Sequence, residues 1–238
     1  MKIIPAIDLY ENKSVRLFKG KFSQKKVYYD NPLTQSLELE REGFTRLHLV
    51  DLEGAKSGSP VHVSILEEIA KKTKLSIDYS GGIRSPEEVS KMLSLGASQI
   101  CIGSFAVSNP EEFKNWLREF GPEKLVLSLD LLDGEIRTQG WVSKSKQSWK
   151  PLIESFLDHG LKKVISTDIS RDGTLTGPSI SLYKEILKTF PTLELIASGG
   201  IRNHDDLRAL ESIGVQECIL GKALHQKETP LKYWTDYA

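Results

Sequence analysis

Four aspartates close apolar runs in this chain, and they fall into two pairs, Asp8 with Asp130 and Asp51 with Asp168, at matching positions of an internal repeat. Asp8 follows Ile3-Ile-Pro-Ala-Ile and Asp130 follows Leu125-Val-Leu-Ser-Leu. Two carboxylates facing one substrate supply a general base and a general acid, provided that their surroundings hold their pKa values apart. An aspartate at such a place also caps a loop or pairs with a lysine. For Asp51 and Asp168, each ahead of a polar loop, capping is the stronger reading. Thr167, just before Asp168, can donate a hydroxyl hydrogen bond to a reacting oxygen.

Glycines supply the second kind of chemistry. Ser80-Gly81-Gly82-Ile83-Arg84 returns 118 residues later as Ser198-Gly199-Gly200-Ile201-Arg202, and Gly103-Ser104 returns at the same shift as Gly221-Lys222. Such glycines either turn the chain or let backbone N–H groups approach an anion with no Cβ in the way. Glu87, Glu88, Asp205 and Asp206 open the helices that follow and repel an anion, so each phosphate is expected on a Gly-Gly turn and the short segment one strand later. Two such cradles imply an elongated ligand, phosphorylated at both ends. Arg16, in the long first loop, reaches a phosphate or stays solvated; Trp141 stacks on a planar ligand or anchors a hairpin. His48 reads as a core histidine of an apolar strand. His62, His159, His204 and His225 show no metal-ligand spacing, so no metal is assigned.

The elements that must hold these residues read as a strand followed by a helix, eight times. Apolar runs rich in β-branched residues occupy about 2–8, 45–51, 74–79, 99–103, 124–130, 162–168, 193–198 and 216–220. They are continuous rather than alternating, as parallel strands covered on both faces require. Amphipathic segments lie between them at Pro32 to Glu42, Val61 to Lys71, Pro86 to Leu95, Glu111 to Phe120, Trp149 to Asp158, Ile180 to Thr189 and Asp205 to Ile213. Ser85-Pro86-Glu87-Glu88 spells one helix start: an N-cap serine, proline at the first helical position and an acid at the third. The segment 131–150 suggests a small hairpin around Asp133-Gly134. These features predict a single α/β domain over residues 1–238, a (β/α)8 TIM barrel of two half-barrels, roughly 1–121 and 122–238. In that fold the loops after the strands form the active face.

Composition excludes several classes. Lys plus Arg equals Asp plus Glu at 32 each, so bulk charge gives no argument for nucleic acid or an anionic membrane as partner. No apolar stretch approaches the ~18 residues that cross a bilayer. Cys101 and Cys218 lie in apolar runs and read as reduced core residues, which suits the cytoplasm.

Taken together, Ile4-Pro-Ala-Ile-Asp8-Leu, Val15-Arg-Leu-Phe-Lys-Gly20, Leu47-His-Leu-Val-Asp51-Leu, Ser80-Gly-Gly-Ile-Arg84, Ser128-Leu-Asp130, Thr167-Asp-Ile-Ser-Arg-Asp172-Gly-Thr174 and Ser198-Gly-Gly-Ile-Arg202 resemble the phosphoribosylformimino-5-aminoimidazole carboxamide ribotide isomerases of histidine biosynthesis. The resemblance runs from the N-terminus to about residue 225. It implies an Amadori rearrangement, aminoaldose to aminoketose, of a small bisphosphorylated substrate without a cofactor. By position Asp8 resembles the general base at C2 of the ribose, Asp130 the general acid at the ring oxygen, and Thr167 a residue that positions the ribose. Gly20, Arg84, Asp172 and Gly177 join the binding set with the glycine cradles. The family has a third glycine where this chain has Ser80. A monomer is expected. Three readings stay open beside it: a dual enzyme that also takes phosphoribosyl anthranilate, the sister cyclase of the pathway, and a bisphosphate-binding barrel without turnover.

Overall fold

The computed structural model of the chain describes residues 1–18 and 20–238. Among them twelve strands form one sheet. In chain order these are β1 (Lys2–Tyr10), the antiparallel β2 (Lys13–Phe18) and β3 (Lys21–Tyr29), β4 (Arg46–Asp51), β5 (Ser76–Ser80), β6 (Ala97–Ile102) and β7 (Leu125–Leu132). The antiparallel β8 (Glu135–Thr138) and β9 (Ser143–Lys144), then β10 (Lys163–Asp168), β11 (Glu194–Ser198) and β12 (Glu217–Leu220) complete it. The eight parallel members run β10-β11-β12-β1-β4-β5-β6-β7, and β7 pairs with β10 to close the ring. The predicted (β/α)8 barrel is therefore the observed fold.

Helices α1 (Pro32–Arg41), α2 (Leu52–Ser57), α3 (Val63–Lys72), α4 (Pro86–Ser94), α5 (Ser104–Ser108), α6 (Pro110–Phe120), α7 (Trp149–Leu157), α8 (Ile180–Thr189) and α9 (His204–Ser212) surround it. The start of α4 is a capping box: the Ser85 hydroxyl accepts from the Glu88 N–H while Glu88 accepts from the Ser85 and Arg84 N–H groups. The eighth unit departs from the expectation. After β12 the chain forms only 3-10 turns, Lys222–His225 and Leu231–Tyr237, divided at Pro230. Pro230, which lacks an N–H and disfavours helix in the residue before it, prevents one continuous α-helix there. Trp234, fully buried, plugs the position that a helix would cover.

Successive side chains of a strand point to opposite faces, and the barrel uses both. Leu47 and Leu49 of β4, Ile77 and Tyr79 of β5 and Ile7 and Leu9 of β1 face outward into the layer beneath the helices. Ile4, Ala6, Cys101, Val126, Ile165, Ile196 and Ile219 fill the interior. Below that apolar layer the floor is ionic: Arg46 bonds Glu217 at 2.6 Å, and Lys163 lies 3.4 Å from Glu217 and 3.5 Å from Glu194.

Asp51 holds the outer layer together where the first Gly-Gly turn begins. It is fully buried and accepts from the N–H groups of Gly54, Val61 and His62 at 2.7, 2.7 and 2.8 Å, from His62 Nδ1 at 2.9 Å and from the Tyr79 hydroxyl at 2.9 Å. Burial alone would raise its pKa; the bonds from His62, Gly54 and Val61 outweigh burial and hold it below the ordinary carboxylate range. His62 is raised in turn, because Asp51 and Glu53 outweigh its own burial. Replacing Asp51 by Ala orphans these donors, and we expect a loss of about 3–5 kcal/mol in denaturant unfolding. The same pKa directions fix the pH dependence. The Asp51 contribution is present above its unfolded value of about 3.9 and is lost on acidification through the lowered folded value. The His62 contribution is present below its unfolded value of about 6.5 and is lost as pH rises through the raised folded value. Unfolding free energy measured against pH should fall on both sides, and in Asp51→Ala both slopes should flatten.

Candidate active site

Strand parity sorts the four aspartates. With Ala6 and Asp8 pointing into the barrel, and Ser128 and Asp130 likewise, both carboxylates line a cavity of about 390 Å³ at the C-terminal ends of the strands. Thr167 lines it too, paired in register with Asp130 across β10 and β7. Asp51 and Asp168 sit one residue out of phase. Asp51 faces the helix layer, and Asp168 accepts from the Ser170 N–H at 3.0 Å and its hydroxyl at 2.6 Å, so both cap loops.

The two carboxylates differ in surroundings. Asp8 accepts from Arg16 Nη1 at 2.7 Å, an ion pair that the β2 hairpin swings over the mouth. Among the described residues no cation bonds Asp130. Desolvation pushes its pKa up, against the pull of hydrogen bonding from the Trp141 indole and the Thr167 hydroxyl and of His48. Asp172 lines the mouth with them. It is pushed up to about 6, mainly by desolvation, with the charges of Asp8 and Asp130 raising it further and Arg16 lowering it.

Glycine cradles flank this triad. Gly81 and Gly82 follow β5 with φ of +117° and +85°, and Gly199 and Gly200 follow β11 with +101° and +83°, conformations in which a side chain is strained. A Cβ on Gly81 would also overlap the Asp51 carbonyl, and one on Gly200 the Gly177 carbonyl. Gly103 and Gly221 share a second geometry, φ/ψ of −105/−97° and −115/−87°. All six line the cavity. The helix starts beyond them are occupied by the protein's own acids: Glu88 at α4, and Asp206 at α9, which accepts from the Arg202 N–H at 2.8 Å and its guanidinium at 2.7 and 2.9 Å.

Arg16, Gly20, Arg84, Ser104, Trp141, Asp172 and Lys222 also line the cavity. Ser104 uses its hydroxyl internally, accepting from the Gln139 N–H at 2.9 Å, which leaves its backbone for a ligand. Lys222 Nζ bonds the Gly173 carbonyl at 2.7 Å. Trp141, at a positive φ of 73° in the β8–β9 turn, lays its ring over Gly20, where a Cβ would stand 2.6 Å from the indole. The two hairpins thus touch across the mouth. Gly177 is the exception among the expected residues. It stays outside the cavity, its N–H bonding the Gly200 carbonyl at 2.9 Å and its carbonyl bonding Arg171 at 3.0 Å, and it braces the second Gly-Gly turn from behind. Conversely, His48 lines the cavity rather than packing under a helix. Its signal was available in the strand: His48 has the parity of the cavity residue Val50, opposite to Leu47 and Leu49.

Comparison with known proteins agrees with this geometry. Residues 2–230 match the family model described as histidine biosynthesis protein. A protein of Bacteroides thetaiotaomicron named 1-(5-phosphoribosyl)-5-((5-phosphoribosylamino)methylideneamino)imidazole-4-carboxamide isomerase is 45% identical over 232 residues, 98% of this chain and 97% of its own. Proteins of the same name from Phocaeicola vulgatus and Flavobacterium johnsoniae are each 43% identical, over 98% and 100% of this chain and 97% and 99% of their own. With this fold and this resemblance along its whole length, the chain belongs to the histidine biosynthesis protein family and is one of its isomerases.

Proposed function

We propose that the chain isomerises the bisphosphorylated aminoaldose named in its relatives, phosphoribosylformimino-aminoimidazole carboxamide ribotide, to the aminoketose, with Asp8 as base and Asp130 as acid. The observation that carries this reading is that the two carboxylates come from β1 and β7 into one cavity, between two equivalent glycine cradles. Asp130, whose pKa desolvation pushes up, is the group that gives a proton to the ribose ring oxygen, and the ring opens to an iminium at C1. Asp8, paired with Arg16, takes the proton from C2 to leave an enaminol. Its collapse to the ketone returns a proton to C1 and releases the one on the C2 oxygen. Proton transfers suffice, so the reaction asks for no metal or cofactor. Thr167, beside Asp130, orients the ribose hydroxyls, and Trp141 offers its ring to the imidazole. The two buried thiols suit the reducing cytoplasm.

A spectrophotometric assay with the bisphosphorylated aldose tests this directly, and absence of turnover would defeat it. In that assay Asp8→Asn should lose on the order of 10³ in kcat while substrate affinity stays within about tenfold, since the group acts in the transition state.

Gly103→Ala probes the first cradle with a milder backbone contact than a side chain at Gly81 would make. The new methyl would stand 3.3 Å from the Ser128 carbonyl, close enough that the cradle must give by a few tenths of an ångström. KM should rise roughly tenfold with kcat nearly unchanged; a fall in kcat alone would remove Gly103 from phosphate binding.

The Asp172→Asn variant separates charge from contact. Removing the anion that shares the mouth with Asp130 makes that acid easier to ionise, so the alkaline limb of kcat/KM moves to lower pH. An unmoved limb would show that Asp172 does not tune the acid.

A further inference from the structure

The barrel interior is unequal in its two halves. His48, Asp78 and Cys101, on the adjacent strands β4, β5 and β6, have as repeat equivalents Ile165, Ile196 and Ile219 on β10, β11 and β12. The isoleucines fill the same space with a dry contact, so packing alone does not call for polar groups in the first half. Burying an imidazole, a carboxylate and a thiol there costs desolvation that the second half avoids.

The three polar groups converge on one point. Asp78 Oδ1 is the shared atom, bonded by His48 Nδ1 and lying 3.5 Å from Cys101 Sγ. All three donor atoms fall within 4.8 Å of one another, and all three residues are buried. The other carboxylate oxygen, Oδ2, is taken from below by Arg46 Nη2 at 3.4 Å, and Arg46 is itself anchored on Glu217. The carboxylate is therefore oriented from outside the cluster, as partners of metal ligands are. His48 and Cys101 also line the active-site cavity, which gives a path in from solvent.

We propose that His48 Nδ1, Asp78 Oδ1 and Cys101 Sγ form a binding site for a soft divalent cation of the zinc type, in the floor of the active-site mouth. Imidazole, carboxylate and thiolate together are a zinc donor set, and the sulfur disfavours magnesium and calcium. The bonds needed are about 2.0 Å to nitrogen and oxygen and about 2.3 Å to sulfur, which sets the ligand atoms roughly 3–3.5 Å apart, so His48 Nδ1 draws back from Asp78 Oδ1 as the ion enters. On binding, the thiol proton is released to solvent and the imidazole carries its remaining proton on Nε2, so about one proton leaves per ion. Three protein ligands leave a fourth position open toward the cavity. The guanidinium of Arg46 opposes the charge of the ion and makes occupation reversible. The ion has no part in the proton transfers of the isomerisation.

Cobalt(II) added to chelator-treated full-length protein tests the site independently of any activity. A thiolate-to-cobalt charge-transfer band should appear in the near ultraviolet, saturate at one ion per chain, disappear when zinc is added, and accompany proton release in weakly buffered solution. Cys101→Ile, which installs the residue of the other half, should weaken binding by more than about hundredfold, with its fold checked by circular dichroism melting. Cys218→Ser, which removes the thiol outside the cluster, should leave the band intact. Absence of the band in the parent protein, or its persistence in Cys101→Ile, would overturn the assignment. Loss of isomerase turnover with the cobalt result intact would count against the proposed reaction alone.

Discussion

Thr167 stands beside Asp130 because β7 and β10 pair in register, and that same pairing closes the barrel. Closure leaves the ring of eight parallel strands without a first or last member and gives every residue of a barrel strand one of two fates, interior or helix layer. A shift of one residue in any strand would exchange the two sets. Asp8 would then leave the mouth and Ile7 enter it. The outward residues resist such a slip strongly, since Leu47, Leu49, Ile77 and Tyr79 are fully buried in the larger core. Placement of Asp8 and Asp130 is therefore secured by the packing of their strand neighbours on the opposite face.

Three carboxylates share that mouth with Arg16, and their coupling separates them into roles. Arg16 bonds one of them directly, desolvation acts on the others, and Asp172 feels all of these charges. In a region screened from water, charges this close differentiate chemically identical side chains. The hairpins that follow β1 and β7 complete the effect, since one brings Arg16 and the other Trp141 to the carboxylates.

Much of this was legible in the chain before folding. The eight strands were recognisable because each is a continuous apolar run, and seven helices because each keeps an apolar stripe between turn residues. The repeat marked Gly81, Gly82, Gly103 and their mates as special, and the structure gives each mate the backbone angles of its partner. What stayed hidden is what depends on parity and on long-range convergence. His48, Asp78 and Cys101 are far apart in sequence, and only the barrel puts their polar atoms on one point. Gly177 was expected in the binding set by resemblance, but its bonds to Gly200 and Arg171 hold it behind the second Gly-Gly turn. The short α2 and α5 escaped notice because a helix of five or six residues shows less than two turns of periodicity. The eighth helix was extrapolated from the pattern and is interrupted by Pro230.

The matched backbone of the two Gly-Gly turns raises a question of direction. A ligand with a phosphate at each end meets nearly the same N–H geometry whichever way round it lies, so the cradles by themselves cannot tell head from tail. In the proposed reaction only one of the two arrangements brings the ribose to Asp8 and Asp130. Polarity must come from residues that have no counterpart across the pseudo-twofold axis: Arg16, Trp141, and His48 against Ile165. Each factor of ten in favour of the productive arrangement requires about 1.4 kcal/mol from these groups. Duplication supplied two anchors for one ligand, and divergence of the middle of the barrel supplied its sense.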